Sequence, residues 1–191
     1  SEGPLSYLAA NMELDDALES LINKLKDAGK LDDTVIALVG DHYPYELSID
    51  EINEISSYKK DAKIEVNHSK FILYNSAMEN VNISKVGSSI DVLPTIYNLF
   101  NLKYDSRLII GTDLLSTSDG LAMFDNRSWV TDKGSYFTAS GEFIKKGDVS
   151  DDYVNKQMQI VNNKINLSSY FMDTNYYNIV SNYVKWLVKI L

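Results

Sequence analysis

Asp41 and His42 are the neighbours in this sequence best suited to chemistry. They follow an uninterrupted apolar run, Thr34-Val35-Ile36-Ala37-Leu38-Val39, and then Gly40, and they lead into Tyr43-Pro44. The run has strand length and β-branched character. In an open α/β sheet, ligands collect at the carboxyl ends of the strands. A carboxylate beside an imidazole at that edge suits a divalent metal. The plainer alternative is a turn in which both side chains bond nearby backbone. His68 is the second imidazole, in Asn67-His68-Ser69-Lys70 just ahead of the apolar run Phe71-Ile72-Leu73-Tyr74. A substrate contact at a strand entry and an exposed loop histidine are its two readings.

The rest of the composition narrows the chemistry. The 191 residues hold no cysteine, which removes thiolate ligands, disulfides and a cysteine nucleophile. His42 and His68 are the two histidines, so a three-histidine site within the chain is impossible. A net charge of −9, with Arg107 and Arg127 as the arginines, argues against a nucleic-acid partner. An anionic substrate stays compatible with that charge if a metal supplies local positive charge. Hydrophobic content of 45% and charged content of 24% are those of a globular chain with a sizeable core. No apolar run is long enough to span a bilayer.

The elements that must position the pair follow from periodicity. Leu8, Met12, Leu18, Leu21, Ile22 and Leu25 predict an amphipathic helix over 5–28, stopped at Ala28-Gly29. The strand at 34–39 comes next. A mixed polar stretch, 43–69, carries a short helix near 49–60, and 71–74 is a second strand. A helix is expected near 90–101, with Asp91 in its first turn, Pro94 early in it and Asn101 as its stop. Short antiparallel strands are expected at Leu121–Phe124, Ser128–Thr131, Tyr136–Ala139 and Glu142–Lys145. Their turns fall at Asp125-Asn126, Lys133-Gly134 and Ser140-Gly141. Residues 149–166 read as an amphipathic helix. The stretch 168–191 is rich in aromatic and aliphatic residues, suited to packing on protein or to contact with a membrane surface. Three segments result: an α/β part at 5–119, an antiparallel part at 120–148 and a helical tail at 149–191. Asp91 reads as a cap or first-turn acid, Thr112 and Asp113 as turn-forming, Arg127 as a hairpin surface charge, and Asp15 and Asp16 as solvated.

Five segments occur in a telling order: Asp15-Asp16-Ala17-Leu18, Thr34-Val35-Ile36, Gly40-Asp41-His42, Asp91-Val92-Leu93-Pro94-Thr95-Ile96 and Gly111-Thr112-Asp113-Leu114. Over roughly residues 5–145 the chain resembles the C-terminal half of the catalytic domain of lipoteichoic-acid-synthase-type phosphoglycerol transferases, members of the alkaline phosphatase/sulfatase superfamily. The resemblance implies an α/β fold with a mostly parallel sheet flanked by helices, followed by a small antiparallel subdomain. It implies one divalent metal, manganese first with zinc or magnesium as alternatives, held by a Glu, a catalytic Thr and an adjacent Asp-His pair. Carried over, that pair is Asp41 and His42. The threonine would attack a phosphate ester and an acceptor alcohol or water would resolve the intermediate. Some members place a histidine ahead of the strand equivalent to 71–74, which maps to His68, although they usually carry a proline where this chain has Lys70.

The family's Thr nucleophile and Glu ligand precede the first matching segment. The expectation is therefore a fragment holding half of a metal site, inactive alone. The substrate class implied for the parent is an anionic glycerophospholipid or another phosphate or sulfate ester. The parent is expected at the cell membrane with its catalytic domain outside, the fragment itself to be soluble. A sheet cut in two would leave an edge open to self-association. Two alternatives stand beside this: a sulfatase-like ester hydrolase on the same scaffold, and a non-catalytic α/β binding module with a structural Asp41-His42.

Overall fold

The computed structural model describes residues 3–190, with side chains as far as Tyr183, and its contacts divide the chain into two units, Ser1–Val81 and Asn82–Leu191. It is a mixed α/β protein with an antiparallel subdomain and C-terminal helices, as expected.

In the first unit, helix α1 (Pro4–Asp27) starts with Pro at its first position, where the missing N–H costs nothing. It ends in a Schellman turn. Gly29, at φ 62°, donates to Lys26 C=O, and Lys30 donates to Leu25 C=O. Strand β1 (Ile36–Val39) follows. Helix α2 (Ile49–Ile55) is opened by a capping box: Ser48 Oγ accepts from the Glu51 N–H, and the Glu51 carboxylate accepts from the Ser48 N–H. The Ser48 hydroxyl, and then the Ser48 N–H, both donating to the Glu51 carboxylate, hold that carboxyl below its ordinary pKa. The helix stops earlier than the expected 60. Ser56 turns extended and its hydroxyl donates back to the Ile52 carbonyl. A 3₁₀ turn at Glu65–Asn67 precedes strand β2 (Phe71–Tyr74).

The expectation of a mostly parallel sheet is corrected here. β1 and β2 pair antiparallel, with Ile36 opposite Tyr74 and Val39 opposite Phe71. A parallel pair needs a crossover that carries the chain back to the end where the first strand began. The connection between β1 and β2 instead folds beside the end where β1 stops. It buries its own core there: Leu47, Ile52 and Val66, with Tyr43, Ile49 and Ile55 against them. An apolar run fixes that a strand forms but carries no mark of the direction of its neighbour.

In the second unit, a 3₁₀ turn at Ser89–Asp91 runs into helix α3 (Val92–Leu99), with Pro94 within its first turn. The helix ends as expected at Asn101, whose φ of 51° closes another Schellman turn; Asn101 donates to Asn98 C=O and Leu102 to Tyr97 C=O. Strands β3 (Ala122–Met123), β4 (Trp129–Thr131), β5 (Gly134–Phe137) and β6 (Glu142–Lys145) form an antiparallel meander. β5 begins two residues earlier than expected, because Gly134 pairs with Thr131 and the turn before it is Asp132-Lys133. Helix α4 (Tyr153–Asp173) covers this sheet. Trp129, Tyr136 and Val161 form the core, with Phe143, Tyr153 and Met158 around them. The helix outruns the expected 166, and Asn175, at φ 49°, separates it from α5 (Tyr176–Ile190). Phe171 stacks on Tyr176 at 4.9 Å and the Tyr177 hydroxyl donates to Leu108 C=O, so this end of the tail packs on its own unit. Of the expected tail stripe, Val184, Trp186, Leu187 and Ile190 lie outside the described side chains.

Candidate functional site

Asp41 and His42 stand just past the end of β1. Gly40 carries the chain out of the strand against Ser69: a Cβ at Gly40 would lie 2.6 Å from the Ser69 hydroxyl. The antiparallel register thus brings residues 40–42 and residues 68–70 to the same end of the sheet. In a parallel pair they would lie at opposite ends. The far end is tied separately, by the Asn75 amide donating to Asp32 C=O and Thr34 C=O.

Local bonds fix how the pair presents itself. The His42 N–H donates to Asp41 Oδ1 at 2.9 Å. His42 Nδ1 lies 2.7 Å from the Tyr43 carbonyl oxygen. A carbonyl only accepts, so Nδ1 carries the proton there and the neutral ring keeps its lone pair on Nε2. Tyr45 stacks on the imidazole at 4.4 Å, nearly parallel, and Tyr43 meets Tyr45 edge-on. The ring is thereby held in plane. Its Nε2 lies 3.4 Å from Asp41 Oδ2. With Nδ1 as the proton-bearing atom, both are acceptors, and they face each other without a hydrogen between them.

That arrangement fits a cation. Nitrogen and oxygen donors each about 2.1 Å from one ion, at a tetrahedral angle, lie about 3.4 Å apart. Imidazole and carboxylate suit manganese or zinc, and the carboxylate also suits magnesium. The site is open: the Asp41 side chain is 88% exposed and that of His42 47%. Among the described residues no cluster of three or more His, Asp or Glu side chains has the arrangement of a metal site. The pair therefore offers two donors.

His68 follows the 3₁₀ turn. Its Nδ1 lies 2.7 Å from the Tyr58 hydroxyl and 3.5 Å from Glu65 Oε2, and its side chain is largely exposed. Nothing in the spacing of Tyr58 and His68 signalled that they meet. The remaining polar residues weighed from the sequence do structural work. Asp91 is buried: Oδ1 accepts from the Thr112 N–H at 2.6 Å and Oδ2 from the Ser88 N–H at 2.8 Å. Thr95, also buried, donates to Asp91 C=O and accepts from the Leu114 N–H. Asp113 accepts from the Leu115 N–H and the Asn98 amide. Arg127 is more than a surface charge, because its guanidinium donates to Asn162 and Asn166 on α4. Asp15 and Asp16 are exposed on α1. A hollow of about 390 Å³ lies elsewhere, between Leu18 and Ile22 of α1 and Ile36, Leu38, Ile72 and Tyr74 of the sheet. It is mostly apolar, with Asp15 and Glu19 also lining it, and holds none of Asp41, His42 and His68.

The sequence around Gly40-Asp41-His42 falls within matches to known proteins. The profile of the sulfatase family matches residues 4–102, about half of the chain. The chain belongs to the sulfatase family. It is 31% identical over 134 residues to a lipoteichoic acid synthase of Staphylococcus saprophyticus, an alignment covering 68% of this chain and 21% of that protein. It is 30% identical over 179 residues to lipoteichoic acid synthase 1 of Bacillus subtilis, covering 81% of the chain and 26% of the relative. A lipoteichoic acid synthase of Staphylococcus aureus is 30% identical over 139 residues. The chain thus spans about a fifth to a quarter of the length of these relatives. The sulfatase-family match includes Asp41, His42 and His68.

Proposed function

We propose that this chain supplies the Asp41-His42 part of a divalent-metal site in a phosphoglycerol transferase of the sulfatase family. The observation that carries the reading is the pair of facing acceptors, His42 Nε2 and Asp41 Oδ2, 3.4 Å apart at a strand end. The names of the relatives favour transfer of a phosphoglycerol group from an anionic glycerophospholipid over sulfate-ester hydrolysis.

In this reading Asp41 and His42 hold the metal, manganese first, with zinc or magnesium as alternatives. Bound there, the metal lowers the pKa of a coordinated hydroxyl and offsets charge on the transferring oxygens. The chain's own residues prepare that role. The Tyr43 carbonyl keeps the imidazole proton on Nδ1, and Tyr45 fixes the ring plane. Asp41 adds the negative charge that a bound cation needs. His68, at the same sheet end, contacts the substrate's anionic oxygens. The nucleophilic threonine and a glutamate ligand belong to the rest of the protein, which is anchored in the cell membrane with this domain outside. Among the described residues no helix is long and apolar enough to cross a membrane.

Two donors cannot complete a coordination shell. The chain alone is therefore expected to bind manganese weakly and to show no turnover in a phosphodiesterase assay with added manganese. Tight stoichiometric binding, or robust activity from the pure chain, would overturn this. The two-stranded sheet also leaves unpaired edges, so the chain alone is expected to self-associate as concentration rises. Sedimentation showing a monomer throughout would contradict that part.

A further inference from the structure

His68 is held from two sides by a network that the metal pair does not use. Below it, Val66 is buried against Leu47 and Ile52, which anchors the 3₁₀ turn. Asp61 Oδ1 accepts from the Lys63 and Ile64 N–H groups and sets the entry to that turn. The side chain of Asn53, on α2, takes both backbone groups of Lys60: its Oδ1 accepts from the Lys60 N–H at 2.7 Å and its amide donates to Lys60 C=O. Lys60 Nζ in turn donates to His68 C=O at 3.0 Å and to Glu65 C=O at 3.3 Å. The backbone under the imidazole is thereby fixed to the helix.

The ring is fixed by Tyr58. Its hydroxyl is 2.7 Å from His68 Nδ1, against 3.3 Å from Glu65 Oε2 and 3.4 Å from Lys60 Nζ. A phenol has one proton; Lys60 Nζ only donates to the hydroxyl, and of the two acceptors the nearer, His68 Nδ1, takes that proton. Burial, and then the nearby Glu65 charge, push the Tyr58 pKa above its ordinary value, so the phenol keeps its proton throughout the neutral range. With Nδ1 accepting, neutral His68 carries its proton on Nε2. This is the reverse of His42, whose proton sits on Nδ1 and whose Nε2 is a lone-pair donor.

We infer that Tyr58 is a positioning residue that locks His68 as an Nε2–H donor toward an anionic ester oxygen at the sheet end shared with Asp41-His42. The inference rests on the reading above in that it takes His68 as a substrate contact. It adds the tautomer and the residue that sets it. The two histidines of one sheet end would then divide the work: one offers a lone pair to a cation, the other a proton to an anion. Glu65 Oε2, 3.5 Å from Nδ1, only accepts and so makes no bond to an Nδ1 that is itself an acceptor.

The test separates the two layers. Long-range ¹H–¹⁵N spectra of the chain contain two imidazoles, and a His42→Asn variant assigns them. Neutral His68 is expected as the Nε2–H tautomer. Tyr58→Phe is expected to mix the tautomers with the amide spectrum otherwise kept, and Glu65→Gln to leave the tautomer unchanged. A Nδ1–H tautomer in the parent chain, or no response to Tyr58→Phe, would overturn the positioning role. In the whole protein, loss of one hydrogen bond's worth of orientation is expected to raise KM for the anionic ester about 2- to 10-fold with kcat little changed. A Tyr58→Phe enzyme whose tautomer shifts but whose KM does not would overturn the substrate contact of His68 and leave the metal reading standing.

Discussion

His42 Nδ1–H donates to the Tyr43 carbonyl, which leaves the lone pair of the neutral ring on Nε2, facing the Asp41 carboxylate. Protons compete with a metal for both atoms, so manganese affinity is expected to fall as the solution is acidified, measured by titration at several pH values. Affinity independent of pH would mean that neither atom is a ligand. Asp105 offers a second check at this scale. The Arg107 guanidinium, and then its backbone N–H, hold the Asp105 pKa down to about 2. Because the folded value lies below the ordinary one, the benefit is present above about pH 4 and is lost as pH falls toward about 2. Arg107→Ala is expected to return the Asp105 midpoint toward the ordinary 3.8 in a carboxyl-carbon NMR titration. An unchanged midpoint would assign the shift elsewhere. The types of Asp41 and His42 after an apolar run were enough to single them out from the sequence. Tyr58 was not legible, because its meeting with His68, ten residues downstream, depends on the intervening 3₁₀ turn at Glu65–Asn67 folding back over Lys60.

At the scale of elements, the clasp around Asp91 shows why the Asp91–Ile96 and Gly111–Leu114 segments occur together. One carboxylate accepts from Ser88 and Thr112, and the Thr95 hydroxyl bridges Asp91 to Leu114. Gly111 fits the same junction, since a Cβ there would collide with the Ile90 carbonyl. Asp91→Ala leaves two N–H groups without their acceptor, and the loss is expected to be about 2–4 kcal/mol by chemical denaturation. A loss under about 0.5 kcal/mol would show that water replaces the carboxylate freely. The sequence marked the ends of α1 and α3 well, at Gly29 and Asn101, because a left-handed stop favours Gly and Asn, and missed those of α2 and α4. It did not mark strand direction. Ile36–Val39 and Phe71–Tyr74 carry the same apolar signal whichever way they pair, and the deciding feature is the small core of Leu47, Ile52 and Val66 in the connection between them. The Ser48-x-x-Glu51 capping box was present in the sequence as the start of α2, and marks that helix more sharply than its hydrophobic pattern does.

At the scale of the whole molecule, a chain spanning about a fifth to a quarter of its relatives carries one end of a site whose other parts the proposal assigns to the rest of the protein. The family assignment follows from the match over residues 4–102. The division of labour between this chain and the remainder is the central claim, and the whole protein is where it is tested. Manganese affinity and transferase activity are measured together for the whole protein and for its Asp41→Ala and His42→Ala variants, with circular dichroism to follow the fold. Losing a direct ligand is expected to weaken manganese binding by at least about 100-fold, beyond the effect of losing an outer partner, and to abolish turnover while the fold persists. Unchanged manganese affinity in either variant would contradict the metal site, and unfolding of both would assign Asp41 and His42 a structural role instead.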